Sequence, residues 1–80
     1  MKEKLDYITN SNQMEFAIFC IENTAARTGI APEIMFDLLT KNTNILQNYI
    51  IPNYEVLHTQ GKDYIVDDIL DLMKEKGVSV

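Results

Sequence analysis

The chain has 80 residues, a formal charge of −5 and 46% hydrophobic side chains, which bounds it to one small domain with a core and excludes a disordered protein. A protein of this size buries only about 60% of the surface its unfolded form exposes, so self-association or a partner is a ready way to complete the core. Twelve acidic side chains face seven basic ones scattered over Lys2, Lys4, Arg27, Lys41, Lys62, Lys74 and Lys76; nucleic-acid binding needs a clustered cationic surface, so it is not expected.

Cys20 is the single cysteine, which rules out an intramolecular disulfide and suits a reducing compartment. Met1-Lys2-Glu3-Lys4-Leu5-Asp6 has no apolar stretch behind its basic residues, so no signal peptide is expected. The longest apolar run, 16–21, is six residues, far short of the ~20 that a membrane span needs. A cytoplasmic protein with no membrane association is the expectation.

In chain order, residues 1–10 read as a loosely ordered N-terminal arm anchored only by Leu5, Tyr7 and Ile8, and 11–80 as a single helical domain. Asn10-Ser11-Asn12 offers capping residues, and Glu15 stands three after Asn12 as in a capping box. A first helix is predicted over 13–28, ending at Gly29. Phe16, Ala17, Ile18, Phe19, Cys20 and Ile21 cover nearly its whole circumference, which predicts a central post surrounded by other elements. A buried strand over 16–21 competes, but the alanines and the uninterrupted length favour helix.

Pro32 at the first position and Glu33 in the first turn open a second helix. Its apolar face is Ile34, Met35, Leu38 and Leu39, with Phe36 on the flank, and it should end near Lys41-Asn42. Asn44 is placed to cap a short third helix carrying Ile45, Leu46, Tyr49 and Ile50. Pro52 breaks it, because the residue before a proline is pushed away from helical geometry. A further turn runs through Leu57-His58, with Tyr54 and His58 on one face. Thr59-Gln60-Gly61 interrupts the chain, and a last helix over 62–76 presents Ile65, Val66, Ile69, Leu70, Leu72 and Met73 before Gly77 stops it. The predicted fold is all-α: a compact bundle of four to five short helices.

Two stretches carry a family resemblance. Phe-x-x-Phe-Cys-Ile-Glu at 16–22 and Tyr-x-x-Leu-His-Thr-x-Gly-x-x-Tyr-Ile-Val-x-Asp-Ile at 54–69 resemble a family of small bacterial proteins of unknown function, over roughly residues 14–75. The resemblance implies an all-helical fold and a bacterial source. It carries no catalytic residues. It also implies genes lying beside small toxin-like proteins, some similar to ADP-ribosyltransferases, and hence an antitoxin-like or accessory role.

The sole histidine, His58, invites two readings. With Asp63, Asp67 or Asp68 it could act as a general base or bind a metal, although one histidine without a second His or Cys is a poor ligand set. In the other reading His58, Thr59 and Gly61 form a joint: an imidazole nitrogen donates to a backbone carbonyl, and Thr59, Gln60 or Gly61 caps the last helix. Asp63, Asp67, Asp71 and Glu75 recur every four residues with Asp68 beside them. Such a stripe is either a solvated outer face or a docking strip for a basic partner. Cys20, set among apolar residues, reads as a buried structural thiol. A helix, a Gly turn and a second helix outline a helix-turn-helix, yet Glu33 and Asp37 are the wrong residues for phosphates and base edges.

The sequence therefore points to a non-catalytic protein-interaction module, antitoxin-like or accessory to a neighbouring gene product, with a protein partner or a second copy and no cofactor. A small enzyme or metal site around His58 with Asp67 or Asp68 stands second, and a DNA-binding regulator third.

Overall fold

The computed structural model describes residues 5–80; the part of the N-terminal arm at 1–4 lies outside the described residues. Helix α1 spans Ser11–Thr28 and α2 Pro32–Asp37, which runs without a break into a π-helical segment, Leu38–Asn42. A second π segment covers Leu46–Ile50, followed by α3, Tyr54–Leu57, and α4, Lys62–Glu75. With α2 and its π continuation counted as one body, these are five helical segments, and no strand occurs among the described residues.

α1 starts two residues earlier than its predicted first turn. The Asn10 side chain accepts from the Gln13 N–H at 2.8 Å, and Gln13 Oε1 reaches back to accept from the Thr9 N–H at 2.8 Å. A reciprocal cap thus forms on Asn10 and Gln13 rather than on Asn12 and Glu15. Tyr7 and Ile8, just upstream, pack against the core. The other end is as expected: Gly29 adopts φ 75°, and the N–H groups of Gly29 and Ile30 both donate to the Ala25 carbonyl. Only glycine takes that left-handed geometry without strain.

α1 is not a surrounded post. Phe16, Ala17, Cys20, Thr24 and Ala25 are buried, while Met14 and Ile18 are exposed, Ile18 by 46%. α1 packs against both α2 and α4, so one face of it enters the core while the other stays on the surface. The fully buried centre is shared: Cys20 and Thr24 of α1 lie in it together with Met35, Leu39, Ile45, Leu46, Ile50, Ile65, Ile69 and Met73. On α2 the predicted apolar face is right for Met35 and Leu39, but Ile34 is 56% exposed.

The two π segments meet at Thr43 and Asn44. Thr40 Oγ1 donates to the Phe36 carbonyl and Thr43 Oγ1 to the Leu38 carbonyl, each at 2.7 Å. Hydroxyls that compete for helix carbonyls in this way loosen the α-helical ladder. Asn44 takes a left-handed φ of 59°, which asparagine tolerates, and turns the chain into the second segment. There the Ile51 N–H donates five residues back to Leu46, as a π turn requires. The expected break at Ile51 is present, but its backbone remains right-handed helical at φ −70°, ψ −45° despite the following Pro52. Burial of its side chain, 5% exposed, outweighs the local preference.

α4 buries Ile65, Val66, Ile69 and Met73 on one face. It ends where Gly77 turns left-handed at φ 86° and the Val78 N–H donates to Met73. Val78 packs back on the core.

Candidate functional site

α3 is a single turn whose last N–H donors reach back to Asn53 and Tyr54; the His58 N–H donates to the Tyr54 carbonyl at 3.0 Å. That turn puts residues four apart on one face. The His58 imidazole lies flat on the Tyr54 ring, centroids 4.5 Å apart and planes 10° from parallel. Tyr54 meets Phe16 edge-on at 5.4 Å, and Phe16 stacks with Phe19 at 6.1 Å. His58 is thus the exposed end of an aromatic file rooted in the core. It holds its place by stacking, not by the carbonyl hydrogen bond that a buried imidazole would need.

Thr59 and Gln60 do not cap α4. Thr59 Oγ1 donates backwards to the Val56 carbonyl at 2.7 Å, and Gly61 occupies the capping position with no side chain to contribute. Its φ of −74° is open to any residue. Asp63, in the first turn, supplies the negative charge that the helix start favours.

The acidic stripe divides among three environments. Arg27, near the end of α1, donates to Asp67 at 2.7 Å and to Asp63 at 3.1 Å, clamping α1 to the first half of α4. Asp68 accepts a hydrogen bond from the Tyr49 hydroxyl on the second π segment. Asp71 and Glu75 are exposed and enter no ion pair among the described residues. The Tyr49 phenol is pushed up to about 12, first because it donates to Asp68, then by burial. The Arg27 guanidinium is held above its ordinary value, chiefly by its bond to Asp67.

These pairings bear on the catalytic reading. The three acids named as partners for His58 each hold another group: Asp63 and Asp67 hold Arg27, and Asp68 holds Tyr49. Among the described residues no set of three or more His, Cys, Asp and Glu side chains is arranged to hold a metal ion. Cys20 is fully buried, and burial pushes its thiol up to about 12. It therefore stays protonated and unreactive near neutral pH.

Sequence reasoning missed a concavity between α1 and α2. It measures about 410 Å³, against about 230 Å³ for the depression beside Arg27. Ile18, Ile21, Pro32 and Phe36 give it an apolar lining, and Glu22 and Glu33, both exposed, with half-buried Asp37 add acidic side chains around it. The signal was present in the all-round apolarity of α1. A helix more apolar than its protein can cover leaves a surplus on the surface, and here the surplus is Ile18 with half-buried Ile21. Asp37 has Lys41 Nζ at 3.8 Å. Its Oδ1 has no hydrogen-bond donor among the described residues.

A family model described as "Protein of unknown function (DUF3791)" matches residues 15–76, a span that takes in the groove, the aromatic file and the Arg27 clamp. No curated protein and no solved structure matches the chain.

Proposed function

We propose that this chain, which belongs to the DUF3791 family of proteins of unknown function, is a non-catalytic protein-interaction module that binds a basic partner protein. The observation that carries the reading is the α1–α2 groove, apolar within and acidic at its edge. An exposed apolar surface rimmed by polar groups is characteristic of a protein-binding site, and a rim of one sign selects a partner of the other. Asp71 and Glu75, exposed on the C-terminal half of α4, add to the acidic surface. The remaining members of the stripe are engaged within the protein and serve mainly to position α4.

The role that fits is an accessory or antitoxin-like partner of a neighbouring gene's product, working in the cytoplasm, where a lone thiol stays reduced. Co-expression with the product of the adjacent gene tests it. The two should co-elute in size-exclusion chromatography at micromolar concentration, with an affinity that falls as salt rises. Separate elution at that concentration, at low salt, would remove the proposal's main support.

A further inference from the structure

We infer that the α1–α2 groove receives an amphipathic helix of the partner, with apolar side chains on the inserted face and Lys or Arg on its flanks. The inference rests on the interaction-module reading and specifies what that module grips. Ile18 and Ile21 stand three apart on α1, and Pro32 and Phe36 four apart on α2, so each wall repeats with one helical turn. A groove between two such walls accepts side chains recurring at the same period, which is the helix-in-groove mode of recognition. An added strand has nothing to pair with, since the described residues include no sheet edge.

Charge chooses between a foreign helix and a second copy of this chain. Glu22 and Glu33 take part in no ion pair among the described residues, and Asp37 has only Lys41 at 3.8 Å. Arg27, the chain's only arginine, is spent on Asp63 and Asp67. Two copies joined through this face about a two-fold axis would bring acidic rim to acidic rim. A helix flanked by cations meets the same rim with opposite charge, at the exposed carboxylates of Glu22 and Glu33.

The test uses the full chain, labelled with ¹⁵N, and a synthetic helical peptide with Leu at i, i+4 and i+7 and Arg on both flanks. The same peptide with Glu flanks is the control. The Arg peptide should shift the amide signals of Ile18, Ile21, Glu22, Phe36 and Asp37, and bind at least about tenfold more tightly than the Glu peptide. Ile18→Asp should weaken binding by about tenfold or more; because Ile18 is 46% exposed, the substitution should leave the thermal melt nearly unchanged. The double variant Glu22→Lys/Glu33→Lys should reverse the preference towards the Glu peptide. Equal binding of the two peptides, shifts elsewhere on the surface, or no shift at millimolar peptide would overturn the inference. So would a dimer in light scattering of the free chain that Ile18→Asp dissociates, since a second copy would then fill the groove. The two proposals fail separately: a neighbouring gene product that binds Ile18→Asp as well as the native chain leaves the module standing and removes the groove. Peptide binding without a neighbouring partner does the reverse.

Discussion

Tyr49 shows how a single side chain ties a local segment to the rest of the molecule. Its hydroxyl donates to Asp68, so the neutral phenol is favoured in the folded protein and its ionisation moves from 10.0 to about 12. A group whose pKa rises on folding contributes fully below the unfolded value and loses that contribution as pH climbs through the folded one. Stability should therefore fall between pH 10 and about 12. Tyr49→Phe should make this alkaline limb shallower in urea titrations, leaving the part set by the buried Cys20 thiol, which folding raises from 9.0 to about 12, and cost about 1 kcal/mol at neutral pH, the net worth of such a bond at a half-buried site. An unchanged alkaline limb in the variant would mean that another group sets it. His58 offers a contrast at the same scale. Its four-residue spacing from Tyr54 was legible, and the two rings do share a face. The expected hydrogen bond to a carbonyl was argued from burial, and the ring is exposed, so stacking holds it instead.

At the scale of elements, boundaries set by one residue's backbone were easier to read than those set by a pair of side chains. Gly29, Pro32 and Gly77 each stand where local backbone chemistry puts them, because a left-handed φ or a fixed proline φ is a property of one residue. The α1 start was ambiguous because two capping pairs lie two residues apart, Asn10 with Gln13 and Asn12 with Glu15. The first pair forms, supported by Thr9, whose N–H and hydroxyl both donate to Gln13 Oε1. The π segments left no trace in the apolar pattern, since each is five residues long, too short for a periodicity to be told from that of an α-helix. Nor could the Arg27 clamp be read from a chain in which 36 and 40 residues separate its partners. It joins two elements at the surface, so its effect should be screened. Arg27→Ala should lower the thermal midpoint at low ionic strength, and the difference from the native protein should close at about 1 M salt, where the screening length is about 3 Å. A difference that persists at high salt would assign the effect to packing of the arginine stem rather than to its charge.

The whole molecule has little stability to spare. Proteins of this length hold roughly 4–12 kcal/mol in total, and the centre of this one rests on a few fully buried side chains from four helical segments. Leu39→Ala, at a position with no exposed surface, should cost about 2–5 kcal/mol, seen as a large drop in the urea midpoint with the slope unchanged. A loss below about 1 kcal/mol would show that the neighbouring side chains collapse into the space. By contrast, changes at Ile18 or Ile34 should alter binding or solubility before stability, since both stand in water.

Helix content, order and stops follow from residues acting over a single turn, so they could be read along the chain, as could the burial of Met35, Leu39 and the inner face of α4. Assembly alone decided which apolar residues the core would leave over. Phe16 and Ile18 are indistinguishable by composition and differ only in what lies against them. Assembly also sorted the acids of α4 into Arg27's partners, Tyr49's partner and the free pair Asp71 and Glu75. Periodicity records where a side chain points on its own helix, whereas its partner is set by a second helix packed from elsewhere in the chain. For that reason the stripe was visible in the sequence and the groove was not.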